Sequence, residues 1–281
     1  MRLNRVVAET FGAAAERVVF RVDHALGMAT VQNLLALRRQ DPVLAAVWNG
    51  EHVEHVEIRW EEDLALEGRA GYYDATGALV DVVQNHVLQV LCVVAMEPPV
   101  DAGEQALRDA KVAVLNAARA RGSRRARYGA GRLGDRAIPA YADENGVDPQ
   151  RGTETFAEVG LSLDVPRWRG ARFVLRAGKA LARRRKEIVM RFRGGDALRI
   201  GIDGPRDVAL RLQGVTLVGP PPASELPPYG HVLLDVLAGG SALSVRGDEA
   251  QAAWRVLTPV LEAWRAGRVP LEEYPAGSSG P

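Results

Sequence analysis

The segment ETFAEVGLSLDVPRWRGARFVLRAGKALARRRKEIVMRFRGGDALRIGIDGPRDVALRLQG, residues 154–214, decides the fold class of the chain. Alternating and β-branched runs predict five strands in it, at 154–165, 171–178, 186–193, 197–203 and 207–214. Most connections between these runs are too short to hold a crossover helix, so neighbouring strands should pair antiparallel. The second half of the chain therefore predicts a large, mainly antiparallel sheet.

Helical patterns dominate the rest of the chain. Helices are expected over about 2–16, 30–39, 80–96, 108–120 and 249–267, with short strands at 18–22 and 53–60. Turn residues mark 67–79, and loop-forming residues mark 126–147. This order of elements predicts an α+β fold with helices packed on the sheet, and we interpret residues 1–281 as a single domain.

Charge and cysteine content narrow the function classes. The 36 basic and 35 acidic residues leave a net charge of +1, so no long-range field favours nucleic acid or an anionic membrane as a partner. The N-terminus has no apolar signal core, and no uncharged apolar run of membrane-spanning length appears, so we predict a cytoplasmic protein. Cys92, the only cysteine, lies in an apolar run where a buried thiol is expected.

Motifs for cofactors and metals are absent from the sequence. No G-x-G-x-x-G follows a predicted strand, and no G-x-x-x-x-G-K-[ST] is present. His52 and His55 would point to opposite sides of a strand, so we interpret them as surface residues rather than metal ligands. We therefore expect the chain to bind no cofactor and no metal ion by itself.

Two groups of polar residues stand out. The helix predicted at 80–96 is apolar nearly all round, yet it carries Asp81 and His86. A buried ionisable group needs a partner, because an unpaired buried charge costs several kcal/mol. Asp23 and His24 follow the strand predicted at 18–22, at a corner that exposes side chains to clefts. These four residues are the first candidates for a functional site.

Four long motifs are shared with one enzyme family: RVDHALGMATVQNLLALR (21–38), EDLALEGRAGYYDATGALVDVVQNHVLQVLCVVAMEPP (62–99), FVLRAGKALARRRKEI (173–188) and YPAGSSGP (274–281). Together they resemble the C-terminal, substrate-binding part of glucose-6-phosphate dehydrogenase over essentially the whole chain. The resemblance implies an α+β domain of that type.

The resemblance also implies a role for several residues. Asp23 would orient His86, and His86 would accept the proton of the sugar C1 hydroxyl as hydride leaves; a histidine beside a carboxylate suits a general base near neutral pH. His24 would hold the 6-phosphate. The remaining substrate-binding candidates are Glu62, Asp81, Lys179 and Arg184. We interpret Trp60, Tyr72 and Tyr73 as core residues instead.

The chain departs from the family in two ways. Family members usually read DHYLGKE where this chain reads DHALGMA, so Ala25 and Met28 replace a tyrosine and a lysine of the phosphate site. Loss of these hydrogen bonds should cost several kcal/mol of affinity for a dianion. The nucleotide-binding domain that precedes this region in the family is not part of the sequence.

Three functional hypotheses follow, of which the sequence favours the first. In the first, the chain is a stand-alone sugar enzyme that uses Asp23 and His86 for cofactor-independent acid–base chemistry, such as isomerisation, epimerisation, dehydration or lactone opening. In the second, it is the substrate-binding subunit of a split NADP-dependent dehydrogenase. In the third, it is a non-catalytic module that binds a sugar or a dehydrogenase. A truncated gene is a further possibility, and a homo-oligomer through the sheet is expected in each case.

Overall fold

The computed structural model describes residues 2–99, 103–203, 208–212, 215–219 and 226–281. Its helices are α1 (Arg2–Phe11), α2 (Ala15–Val18), α3 (Ala29–Gln40), α4 (Pro42–Val47), α5 (Ala70–Ala78), α6 (Leu88–Ala95), α7 (Glu104–Ala117), α8 (Pro228–Leu237) and α9 (Gly247–Arg265). A π-helical segment, Leu79–Val87, joins α5 to α6. The strands are β1 (Arg21–Val22), β2 (Val53–Glu61), β3 (Ala118–Gly129), β4 (Gly131–Leu133), β5 (Arg136–Ile138), β6 (Phe156–Leu163), β7 (Arg172–Gly178), β8 (Arg185–Phe192), β9 (Ala197–Asp203), β10 (Val208–Leu212), β11 (Val215–Gly219), β12 (Ser244–Val245) and β13 (Leu271–Pro275).

A mixed sheet of nine strands forms the centre of the molecule, in the order β11-β10-β9-β8-β2-β7-β6-β3-β13. Its neighbours pair antiparallel except β2 with β7 and β3 with β13, which run parallel. Val56, Ile58 and Trp60 alternate along β2 and are at most 2% exposed, so they join the core that the helices cover. The predicted α+β fold with a mainly antiparallel sheet is confirmed.

The opposite side of the sheet carries a network of ion pairs. Glu61 on β2 is fully buried and receives Arg176 of β7 at 2.9 Å and Arg185 of β8 at 2.6 Å. Arg59, two residues earlier on β2, contacts Glu187 of β8 at 2.9 Å. Because these partners lie on adjacent strands, cross-strand ion pairs rather than apolar contacts stabilise the middle of the sheet on this side.

The N-terminal elements are shorter than predicted. The helix expected over 2–16 is interrupted after Phe11, where Gly12 takes a φ of +52°, and continues as the short α2. The strand expected at 18–22 is reduced to Arg21–Val22, because Val18 still belongs to α2. β1 pairs with β12 rather than with the large sheet.

Sequence patterns also missed β3, β11 and β13. The helix expected over 108–120 ends at Ala117, and residues 118–129 form β3 within the sheet. β3 pairs with β6 on one side and β13 on the other, so pairing with distant strands overrides the helix-favouring composition of this segment. The loop expected at 126–147 includes β4 and β5, and residues 207, 213 and 214 of the last predicted strand lie outside the described residues.

One long helical run crosses the core. The turn expected at 67–79 is mostly helical, and α5, the π-helical segment and α6 follow one another from Ala70 to Ala95. This run is long and apolar enough to cross a membrane by length and composition alone, but 72% of its apolar window is buried within the protein, as in the core helix of a soluble domain. Its C-terminal carbonyls accept hydrogen bonds from the buried side chains of Arg38, Trp48 and Trp168.

Candidate active site

Asp23 and His86 form a hydrogen-bonded pair. Asp23 follows β1, and its Oδ1 accepts the N–H of Ala25 at 2.9 Å, which caps a short 3₁₀ turn. The same oxygen lies 2.6 Å from Nδ1 of His86, which the π-helical segment contributes. A buried carboxylate at this distance holds the proton on Nδ1, so Nε2 is left to accept a proton from a bound molecule. The structure therefore brings the two predicted catalytic residues together.

Aromatic rings surround this pair. The rings of His24 and His86 meet edge to face with 4.3 Å between their centroids, and Tyr229 of α8 stacks on His24 at 5.4 Å. Trp60, at the end of β2, stacks on His86 at 5.3 Å with 26° between the ring planes. Trp60 is buried as predicted, but it also forms one wall of the candidate site.

Two lysines continue the site beyond Trp60. Lys186 is the cross-strand partner of Trp60, and its Nζ lies 4.4 Å from the centre of the indole. Glu62 receives Lys179 at 2.6 Å and Lys186 at 3.7 Å. Burial opposes the ionisation of Glu62, but the two lysines outweigh it and lower the pKa of the carboxyl. One continuous run of contacts thus links Lys179, Glu62, Lys186, Trp60 and His86.

The other two predicted substrate ligands are Asp81, on the π-helical segment, and Arg184, on the connection between β7 and β8. Asp81 lies within hydrogen-bonding reach of Tyr72, and burial together with the charge of Asp81 raises the pKa of that phenol. Tyr72 is 54% exposed, so its interpretation as a core residue was wrong, because it lies on the outer side of α5. Arg184 is exposed on the connection between β7 and β8. The roles of Asp81 and Arg184 as substrate ligands stay predictions.

The altered phosphate motif is apolar and buried. Ala25 is fully buried, and Met28 is 5% exposed. Neither side chain can supply the hydrogen bonds of a tyrosine or a lysine. His24 and the lysines on the other side of Trp60 are the cationic or polar side chains that the described contacts place nearest to the dyad.

Three side chains lie close enough to hold a metal ion. The ligand atoms of Asp23, His24 and His86 are all within 4.8 Å of one another. However, Oδ1 of Asp23 already accepts two hydrogen bonds, one of them from Nδ1 of His86. The hydrogen-bonded pair accounts for this arrangement without an ion, and the expectation that the chain needs no metal stays a prediction.

Comparison with known proteins identifies the family. The family model of the C-terminal domain of glucose-6-phosphate dehydrogenase matches residues 35–203 and 206–281. The chain belongs to this family. It is 39% identical over 307 residues to the glucose-6-phosphate 1-dehydrogenase of Gluconobacter oxydans, covering 95% of the chain and 61% of that enzyme.

Solved dehydrogenases share the fold. A glucose-6-phosphate dehydrogenase in complex with its substrate superposes with a TM-score of 0.90 at 31% identity, over 100% of this chain and 63% of the other. The enzyme from Mycobacterium avium superposes with a TM-score of 0.83 at 32% identity, over 95% and 61% of the two chains. The chain thus spans less than two thirds of the length of these relatives, and the activity of a whole dehydrogenase does not transfer to it directly.

Sequence reasoning missed three residues around the dyad. Lys186 was passed over in the basic run 183–186, although it is one of only three lysines among 36 basic residues. Trp60 could have been placed beside the site because it precedes Glu62 by two residues, a spacing that puts both on one side of a strand. No sequence pattern marked Tyr229 as a site residue, since its position depends on the packing of α8 against the turn at His24.

Proposed function

We propose that the chain provides the sugar-binding and proton-accepting part of a dehydrogenase that oxidises glucose 6-phosphate or a closely related hexose phosphate at C1. The observation that carries the proposal is the 2.6 Å hydrogen bond between Asp23 and His86 in a member of this family. The C1 hydroxyl gives its proton to Nε2 of His86, the hydride leaves C1 for an acceptor, and C1 becomes the carbonyl carbon of a lactone. Asp23 stabilises the imidazolium that forms.

The charges beside Trp60 support a phosphorylated substrate. Lys179 and Lys186 both contact Glu62, so two ammonium groups lie beside this carboxylate. An ammonium that is already positioned gives a charge-assisted hydrogen bond to phosphate. These two lysines would compensate for the missing tyrosine and lysine at positions 25 and 28.

The hydride acceptor requires another domain. The described ranges of this chain contain no strand, Gly-rich loop and helix that could receive the pyrophosphate of a dinucleotide, so the described residues do not fit such a cofactor. Exposed apolar side chains support a docking surface for a nucleotide-binding domain. Among the described large hydrophobic residues that are exposed, five lie between Leu3 and Val22 and five between Leu226 and Leu237, against four elsewhere. Both groups flank Asp23 and His24.

The other hypotheses are less well supported. The relatives named above are dehydrogenases, which favours the split enzyme over a cofactor-independent isomerase or epimerase. No contact of the described residues specifically favours a non-catalytic module. A cytoplasmic location and a homo-oligomer formed through the sheet remain part of the proposal.

Calorimetry on the purified chain tests the substrate assignment. Glucose 6-phosphate should bind at least ten times more tightly than glucose, because only the phosphate engages the lysines. Lys179→Met and Lys186→Met should each lower the affinity for glucose 6-phosphate by about tenfold or more, the worth of a hydrogen bond to a charged group. Arg172→Met, which removes an exposed cation at the start of β7, is the control and should change nothing. Equal affinity for glucose and glucose 6-phosphate would contradict the proposal.

A further inference from the structure

The helical run that carries His86 changes its geometry just before the site. Gly77, near the end of α5, takes the non-helical angles φ 68° and ψ 175°, so the run is kinked there, and the π-helical segment begins two residues later. That segment carries both Asp81 and His86. Such segments are rare and are found frequently at functional sites, so the way this one is held in place bears on the site itself.

Glu154, just before β6, holds the beginning of this segment. Its Oε1 accepts the N–H of Leu79, the first residue of the segment, at 2.9 Å, and its backbone oxygen accepts the N–H of Ala78 at 3.2 Å. Glu154 is only 7% exposed. A Cβ on Gly77 would overlap the Glu154 carboxyl group, so glycine is required at that position for two reasons, its positive φ and the approach of Glu154.

The next residue, Thr155, holds the other end of the site. Its backbone oxygen accepts the N–H of Lys179 at 2.9 Å. Its hydroxyl lies 2.9 Å from that of Tyr274, which donates to the carbonyl of Lys179 at 2.6 Å. Thr155 and Tyr274 are both buried, so these contacts are shielded from water.

We infer that Glu154 is a positioning residue: by reaching Leu79 it fixes the segment that carries His86, while its neighbour Thr155 fixes Lys179. Two consecutive residues thereby set the separation between the proton acceptor and the phosphate-binding lysine. This inference rests on the proposed function for its meaning in catalysis, but the placement of His86 by Glu154 can be tested without any substrate.

The reach of the side chain, rather than its charge, is the property that matters. Glu154→Gln keeps an oxygen at the same distance from the backbone and cannot ionise. Glu154→Asp keeps an ionisable carboxyl group and shortens the side chain by one methylene group, so it cannot reach Leu79 unless the segment moves. Comparing these two variants separates the role in positioning from any role of the charge.

Nuclear magnetic resonance of protein labelled with ¹⁵N at histidine provides the measurement. The chain has five histidines, and the ring nitrogens of His86 report its hydrogen bond to Asp23. We expect the His86 signals to shift in Glu154→Asp and to keep their wild-type positions in Glu154→Gln. The signals of His52 and His55, at the other end of β2, should stay unchanged in both variants.

Ile200→Ala is the control for general loosening, because it removes a buried side chain from β9 at a distance from the segment. It should lower the melting temperature without moving the His86 signals. The inference is overturned if His86 is unchanged in Glu154→Asp, or if all histidines shift alike. A chain that fails to bind glucose 6-phosphate would defeat the proposed function but would leave this comparison of spectra intact.

Discussion

The indole of Trp60 lies against the imidazole of His86, with 5.3 Å between the ring centroids, and the ammonium of Lys186 lies over the same indole at 4.4 Å. Trp60 thus connects the candidate proton acceptor to the cationic part of the site. Because it is 2% exposed, its side chain also belongs to the core.

Replacing Trp60 with alanine should therefore affect both stability and binding. Loss of a buried tryptophan costs about 3–5 kcal/mol of unfolding free energy. Trp168→Ala is a matched control, since Trp168 is equally buried but donates to the carbonyl of Ala95 at the far end of the helical run. Both variants should be destabilised in urea titrations, and only Trp60→Ala should weaken the binding of glucose 6-phosphate. Equal affinities in the two variants would remove Trp60 from the site.

The buried Glu154 carboxyl predicts a pH dependence of stability. Burial raises its pKa from an ordinary 4.5 to about 7. The folded state therefore holds a proton that the unfolded state has lost, so this contribution is fully present below about pH 4.5 and is lost as the pH rises through about 7. Glu154→Gln does not titrate, so its stability relative to the wild type should improve by about 3 kcal/mol between pH 4.5 and pH 8. A difference that stays constant over this range would show that the carboxyl titrates normally.

Lys111 and Glu249 form a fully buried ion pair at 3.0 Å between α7 and α9. Removing one partner leaves the other charge buried and alone, so Lys111→Met should cost about 3–5 kcal/mol of unfolding free energy. The double variant Lys111→Met/Glu249→Gln should be more stable than Lys111→Met alone, because no unpaired charge remains. Denaturant titrations of the single and double variants measure this, and simple additivity of the two substitutions would speak against a coupled pair.

The charged side of the sheet leads us to expect a homo-oligomer. Helices cover one side of the sheet, while the described residues of the other side form ion pairs such as Arg199 with Glu187 at 2.8 Å. Sedimentation at micromolar concentration should show a dimer or tetramer for the wild type. Arg199→Glu should weaken the oligomer because it places a second negative charge beside Glu187, whereas Arg265→Glu on α9 should leave the oligomer unchanged. A wild-type monomer at this concentration would refute the expectation.

The sequence predicted the fold class and most strands because alternating patterns in residues 154–214 coincide with strands that are half buried. It missed β3, whose alanines and arginines favour a helix until β6 and β13 pair with it. It also could not show the π-helical segment, because that depends on contacts of Gly77 and Leu79 with Glu154, which is distant from them in sequence.

The candidate site was predicted in part. The pairing of Asp23 with His86 was expected from the family motifs, whereas the apolar helix pattern predicted only that the histidine needs a partner. His86 is half-buried rather than fully buried, with 21% of its side chain exposed. The stacking of Trp60 and Tyr229 on the two histidines was not predicted, since ring contacts depend on how strands and helices pack rather than on any local pattern.

Titrating ¹⁵N-histidine-labelled wild-type protein with glucose 6-phosphate tests the central claim most directly. If the sugar binds at the dyad, the ring signals of His86 and His24 shift saturably, and those of His52 and His55 do not. The response should weaken in Lys179→Met and Lys186→Met at the same ligand concentration. Absence of any saturable shift at His86, or a shift confined to the distant histidines, would contradict the assignment of this site as the one that binds the sugar and accepts its proton.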